Sequence, residues 1–224
     1  MSNNGLKGRG RQELLRAEGR RVLSLLEGRP LREDEIARNE NGRPFLPGNP
    51  GDFSISHSGA MAAVSLVKGE NQHTGCDIQI VRPSICVKGI AERFFSVPER
   101  DYIFAGGDGQ FDKNRFFAIW ALKESFLKLR GLSVFDMAAV PSFIQRDDSG
   151  RGYFAFDTDA SSALSFCLYE LAGNSGERYF LAAALEGGAQ DQPEIRWFSH
   201  SLADKSIAAI KAALSPARTV SPKM

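Results

Sequence analysis

With 224 residues, the chain can bury a real core, as one domain or as two small ones. Hydrophobic residues at 42% and charged residues at 25% are ordinary globular proportions, and a net charge of +1 removes any whole-molecule case for nucleic acid or a membrane as partner. Cys76, Cys86 and Cys167 lack CxxC spacing, which argues against a thiolate metal site and for reduced thiols. The N-terminal stretch is polar and basic, and no run is long enough to span a bilayer, so the cytoplasm is the expected compartment.

Residues 11–26 read as an amphipathic helix. At about 100° per residue, Leu14, Leu15, Val22, Leu25 and Leu26 share one side and Arg16 and Arg20 lie on the other; Gly28-Arg29-Pro30 ends it. Arg11 falls on the apolar side at the helix start, either as a frayed, solvated end or as a cation aimed at a ligand. Residues 39–51 are turn-rich. They lead into FSISHSGAMAAVSL, residues 53–66, a strand-like run with Ser56-His57-Ser58-Gly59 at its middle. Residues 74–81 alternate as a second strand ending at Arg82-Pro83, so 53–75 reads as a hairpin with its loop at Lys68-Gly69-Glu70-Asn71.

Residues 90–105 are helical in pattern, 106–110 form a loop, and a long helix spans 112–129 with Gly131 as its cap. Two further strands, 162–171 and 179–185, flank a Gly-Asn-Ser-Gly turn. Each half is a helix followed by antiparallel strands, which predicts an α+β fold of two similar, pseudo-symmetric halves, 1–83 and 84–186. Residues 187–224, rich in Gln, Ser, Pro and Ala with one amphipathic piece at 202–214, are expected to be a loosely attached tail.

Three clusters hold candidate chemistry. In Ser56-His57-Ser58-Gly59, neighbouring strand residues face opposite ways, so Ser56 is poorly placed to form a nucleophile pair with His57, and no GxSxG elbow is present. A satisfied core histidine and an anion site built from imidazole, hydroxyls and glycine amides both remain open. Asp77 and Gln79 lie two apart and share a strand face. An aspartate in an apolar strand needs a partner: an arginine, a backbone amide, or a cation such as Mg²⁺, which takes oxygen ligands. Glu124 and Lys128, at i and i+4 on the long helix with Trp120 one turn earlier, read on periodicity alone as a surface pair. Taken together, a strand carboxylate, a helix Glu and Lys and an anion-binding Ser-His are the parts of metal-assisted phosphoryl chemistry.

In order along the chain, Gly42-Arg43-Pro44, Phe53-Ser54-Ile55-Ser56-His57-Ser58, Gly75-Cys76-Asp77-Ile78-Gln79, Arg93-Phe94-Phe95-Ser96 with Glu99, and Trp120-Ala121-Leu122-Lys123-Glu124-Ser125-Phe126-Leu127-Lys128 resemble the 4′-phosphopantetheinyl transferases, most of all the Sfp-like branch with two pseudo-symmetric halves. The resemblance covers roughly residues 11–186 and rests on ordered motifs rather than on any one of them. It implies transfer of the phosphopantetheine arm of coenzyme A to a serine of an apo acyl, peptidyl or aryl carrier protein, with release of adenosine 3′,5′-bisphosphate.

The resemblance further implies that Asp77 and Glu124 hold Mg²⁺, or Mn²⁺ in its place, with Gln79 as a neutral third member where many relatives carry an acid. Arg43, His57 and the Ser56 region would grip the adenine nucleotide and its 3′-phosphate, with Arg11 as a further cation. Lys123 and Lys128 would contact the phosphates, and Lys128 would protonate the leaving one. Glu124 or a metal-polarised water would deprotonate the carrier serine, and Glu99 would be an accessory carboxylate. The expected partners are coenzyme A and the apo carrier protein, with no nucleic acid or membrane, and the expected state is a monomer. The N-terminus is expected to be short beside that of relatives, with the basic residues they carry upstream either missing or replaced by Lys7, Arg9 and Arg11. Gln79 and that short N-terminus raise a competing reading, a catalytically weak relative that binds coenzyme A or carrier protein. A serine hydrolase using Ser56 and His57 is the reading that the strand geometry disfavours.

Overall fold

The structure is a computed structural model that describes residues 9–82, 85–105, 110–146, 153–156, 164–173, 176–187, 197–200, 207–210 and 218–222. In chain order its helices are α1 (Arg9–Glu27), α2 (Val87–Phe94), α3 (Val97–Ile103) and α4 (Lys113–Arg130). Its strands are β1 (Ala37–Arg38), β2 (Pro44–Phe45), β3 (Asp52–Ser58), β4 (Met61–Val67), β5 (His73–Ile80), β6 (Phe143–Arg146), β7 (Tyr153–Phe156), β8 (Leu164–Ala172), β9 (Arg178–Glu186), β10 (Trp197–His200), β11 (Ile207–Ile210) and β12 (Arg218–Pro222). Helices packed on largely antiparallel sheets make this an α+β fold, the expected class.

Helix α4 is fixed at both ends by local chemistry. Asp112 caps it, its Oδ1 accepting from the amides of Asn114 and Arg115, and Gly131 ends it in the left-handed conformation, φ 65°, that a side chain disfavours. Its buried residues, among them Phe116, Phe117, Ile119, Leu122, Phe126, Leu127 and Leu129, leave no broad polar face, as befits a helix surrounded by other elements. It packs against β5 and β9. At Gly75 a Cβ would overlap the Ser125 carbonyl oxygen and lie 2.9 Å from Leu129 Cα, so the absence of a side chain there lets α4 approach β5 at backbone distance. Around α4, residues from α2, α3, β6, β8 and β9 form the main core.

The large sheet has the order β5-β9-β8-β12-β7-β6. β5, β9 and β8 are antiparallel, with Asp77 opposite Ala182 and Leu168 opposite the same Ala182. Because β5 pairs with β9, one sheet crosses the expected boundary between halves; residues 83 and 84, where that boundary falls, lie outside the described residues. The expected tail also contributes to this sheet, since β12 runs antiparallel to β8 and parallel to β7. Of the amphipathic piece 202–214, only 207–210 are described, as β11 paired with β10.

The run 53–66, read as one strand, is two. It turns at Gly59-Ala60 into the β3–β4 hairpin, with Ser58 opposite Met61, and the loop at 68–71 joins β4 to β5 instead. Gly59, at φ 58°, supplies the turn, and the Tyr179 hydroxyl occupies the space a side chain would need. Alternation gave no sign of this break because both arms continue the same apolar, small-residue composition.

β3 lies parallel to β5 without a backbone ladder. Serine side chains bridge the gap: Ser56 Oγ accepts from Ile78 N at 3.2 Å and Ser58 Oγ from Ile80 N at 3.0 Å, a constant offset of 22 residues. The other face of β3 meets α1, where Leu23, Leu46 and Phe53 form a small core. This rotates α1 from its expected orientation. Leu23 is fully buried and Leu25 is half exposed, because Gly19 admits β3 so closely that a Cβ there would lie 2.7 Å from Ile55 Cγ2.

Candidate active site

Asp77 sits on β5 and is 3% exposed, its carboxylate held by donors from three elements. Ser56 Oγ of β3 donates to Oδ1 at 2.7 Å, Lys128 Nζ of α4 donates to the same oxygen at 2.7 Å, and Gln79 Nε2 donates to Oδ2 at 2.7 Å. The sequence placed Asp77 and Gln79 on one strand face; the close α4–β5 contact at Gly75 adds Lys128.

Glu124 lies one turn before Lys128 on α4. Burial first, and then the negative charge of Asp77, push its carboxyl up to about 7, while Lys128 acts in the opposite sense. Burial also disfavours the Lys128 ammonium, but the charge of Asp77 and its hydrogen bond outweigh this and hold its pKa above the ordinary lysine value. Lys128 keeps 30% of its side chain exposed, so this ion pair has one side open to solvent. The pair read from periodicity as a surface salt bridge is therefore a half-buried acid, a lysine and a buried aspartate acting on one another.

His57 faces the opposite way from Ser56, as strand alternation requires, and lies on the α1 side of β3. Burial first, then the positive charges of Arg16 and Lys128, lower its pKa below the ordinary histidine value. Arg16 was not singled out from the sequence, where its polar helix face argued for solvent. The signal was positional: Arg16 lies one turn before Gly19, the residue that brings α1 against β3. The positive charges that disfavour the imidazolium make an electrostatic setting that a bound anion would relieve.

The structure does not bring the other candidates to this cluster. Arg43 donates to Leu129 O at 3.0 Å, to Thr74 O at 2.8 Å and to the Asp52 carboxylate, tying the 39–52 segment to the end of α4 and the start of β5. Lys123 is 2% exposed and pairs at 3.1 Å with Glu99, which is fully buried. Glu99 also accepts from Ser96 N at 2.7 Å and Phe143 N at 2.8 Å, so it joins α3, α4 and β6. The side chain of Arg11 lies outside those described.

Among the described residues, no group of three or more His, Cys, Asp or Glu side chains is placed to hold a metal ion. An ion here would be held by two carboxylates, Asp77 and Glu124, with a neutral amide and substrate oxygens completing its shell, which is the donor set that Mg²⁺ accepts. Burial first, and then the charge of Asp77, disfavour a second carboxylate here, and a divalent cation held by both oxygen donors would relieve that cost. No described helix is long and apolar enough to cross a membrane.

Residues 73–184, half of the chain, match the model of the 4′-phosphopantetheinyl transferase superfamily, and the chain belongs to that family. The matched segment contains Asp77, Gln79, Glu99, Lys123, Glu124 and Lys128. Among curated proteins, the chain is similar to the 4′-phosphopantetheinyl transferase AcpT of Salmonella typhimurium, 33% identical over 132 residues that cover 56% of this chain and 67% of that protein. It is 34% identical to AcpT of Escherichia coli over 109 residues, 48% of this chain and 54% of the relative. It is 38% identical to the 4′-phosphopantetheinyl transferase Sfp of Bacillus subtilis over 98 residues, 43% and 41% of the two chains. The chain thus spans about half the length of the Escherichia coli relative it matches.

Proposed function

We propose that this chain transfers the 4′-phosphopantetheine arm of coenzyme A to a serine of an apo carrier protein and releases adenosine 3′,5′-bisphosphate. The observation that carries the reading is the convergence of Asp77, Glu124 and Lys128 at the α4–β5 contact, inside the segment that matches the family. In the reaction the serine Oγ attacks the β-phosphorus of coenzyme A, the bond from that phosphorus to the bridging oxygen breaks, and the nucleotide leaves with the electron pair. Mg²⁺ or Mn²⁺, held by Asp77 and Glu124, would offset charge on the pyrophosphate oxygens. Glu124, a half-buried carboxylate beside Asp77 and Lys128, takes the proton of the attacking hydroxyl. Lys128, open on one side, offers charge and a proton to the leaving phosphate. Arg16 presents positive charge to the nucleotide, whose 3′-phosphate is the matching anion, and the His57 imidazole beside it offers an N–H donor. Arg43 and Lys123 hold the framework through buried partners in this reading, and neither is offered to a phosphate.

A second reading, a catalytically weak relative that binds coenzyme A or carrier protein, is favoured by the way Lys128 and Gln79 already occupy both oxygens of Asp77. Mass spectrometry separates the two. An apo acyl, peptidyl or aryl carrier protein incubated with the protein, coenzyme A and Mg²⁺ gains the mass of phosphopantetheine if the chain is a transferase. Coenzyme A binding with no mass gain on any carrier of the panel supports the second reading and overturns the first.

A further inference from the structure

We propose that Ser56 is a positioning residue whose hydroxyl orients the Asp77 carboxylate from the β3 side, and that it does not touch the nucleotide. The inference rests on the reading of Asp77 as a holder of a divalent cation and adds a residue to that site.

The hydroxyl's only proton is committed. A serine has one proton to donate, and here it goes to Asp77 Oδ1 at 2.7 Å; an oxygen lone pair takes Ile78 N–H at 3.2 Å. The residue is 5% exposed, so no open side remains from which to reach a ligand. Its neighbours on the same face show what the position does without a carboxylate opposite. Ser58 Oγ accepts from Ile80 N at 3.0 Å, and the Ser54 carbonyl accepts from Cys76 Sγ at 3.3 Å. All three contacts attach β3 to β5, and only at Ser56 does the parallel register set the hydroxyl against a carboxylate.

A carboxylate on a strand has a broad, soft χ2, and each bond to a fixed donor narrows it. Lys128 approaches Oδ1 from α4 on a long, partly exposed side chain, and in the proposed reaction it is the donor that would turn to the leaving phosphate. Ser56 is short, buried and fastened to the backbone of β5. It keeps Oδ1 in place when Lys128 leaves, while Gln79 keeps Oδ2. Partners of this kind, which hold a metal ligand from behind, change metal affinity or activity by about 10–100-fold when removed.

The test compares Ser56→Ala, Ser56→Thr and Ser56→Cys with wild type. Binding of Mn²⁺ in the presence of coenzyme A is followed by electron paramagnetic resonance, binding of coenzyme A without metal by calorimetry, and transfer by mass spectrometry across a Mg²⁺ titration. Ser56→Ala is expected to weaken Mn²⁺ binding about tenfold and to shift the Mg²⁺ dependence of transfer by a like factor, with metal-free coenzyme A affinity unchanged. Ser56→Thr, which keeps the hydroxyl, restores the wild-type titration. Ser56→Cys, which fills the space with a poor donor, shifts it in the same direction as alanine and serves if the alanine variant does not fold. Unchanged Mn²⁺ binding in Ser56→Ala and Ser56→Cys beside an active wild type overturns this proposal and leaves the functional reading standing. Loss of metal-free coenzyme A affinity comparable to that of His57→Ala also overturns it, by making Ser56 a nucleotide contact. A wild type that neither binds Mn²⁺ nor transfers overturns the functional reading, and this proposal with it.

Discussion

Lys128 Nζ and Asp77 Oδ1 lie 2.7 Å apart across the contact between α4 and β5, joining two residues 51 positions apart in the chain. Asp77→Ala removes the acceptor of three hydrogen bonds and leaves Lys128 without its ion-pair partner on β5. Transfer should fall by orders of magnitude, since lost charge stabilisation at a phosphoryl centre costs several kcal/mol, while the variant keeps a cooperative melt. Steady-state transfer rates with matched thermal denaturation check this; a folded variant at near-wild-type rate removes Asp77 from the site.

Gly75 sets the distance between those two elements. In Gly75→Ala the new methyl meets the Ser125 carbonyl and the backbone of Leu129, which are rigid, so α4 must move away from β5. Overpacking of this kind costs about 1–3 kcal/mol, and the displacement separates Glu124 and Lys128 from Asp77. Activity should therefore drop more than stability does, which parallel measurements of kcat/KM and chemical denaturation resolve.

Glu124 ties stability to pH in the metal-free protein. Its carboxyl is raised from 4.5 to about 7 in the fold, so between those values the folded chain keeps a proton that the unfolded chain has lost. Folding stability consequently declines as pH rises through that window and levels off above it. Glu124→Gln should lose this slope and be the more stable variant at pH 8, by on the order of 2 kcal/mol. Urea denaturation at a series of pH values reads both effects.

Lys123 and Glu99 form a buried ion pair, and breaking a buried pair from one side costs about 3–5 kcal/mol. Lys123→Met should lower the melting temperature sharply yet leave the KM for coenzyme A unchanged. A raised KM in a variant that still folds would show that this lysine reaches the phosphates.

Gln79→Ala removes one donor to Asp77 and should be mild beside Asp77→Ala. Gln79→Glu adds a third carboxylate to Asp77 and Glu124, at the position from which the amide now donates to Asp77 at 2.7 Å. It should lower the Mg²⁺ concentration for half-maximal activity and destabilise the metal-free fold through like-charge repulsion. Mg²⁺ titration and metal-free melting report the two effects separately.

Much of the framework was legible because it depends on local chemistry. The apolar pattern and Gly131 marked α4 to within a residue or so at each end. Alternation found β5, β8 and β9 and put Asp77 and Gln79 on one face, since side-chain direction on a strand follows from counting by two. Ordered motifs were enough to indicate the family. Composition hid the turn at Gly59-Ala60, and no local rule foretold β12, whose pairing with β7 and β8 joins segments distant in sequence.

What the tertiary structure alone decided is who faces whom. Lys123 and Glu124 are neighbours on one helix and look interchangeable as charges, yet the roll of α4 sends the first into the core against Glu99 and the second toward Asp77. Arg16 and Arg43 make the same point: the positive charge of a helix-surface arginine bears on His57, while Arg43 meets three acceptors in the framework. Periodicity gives a side chain's direction relative to its own element. The partner it meets depends on how closely elements pack, which here is set by the missing side chains of Gly19 and Gly75.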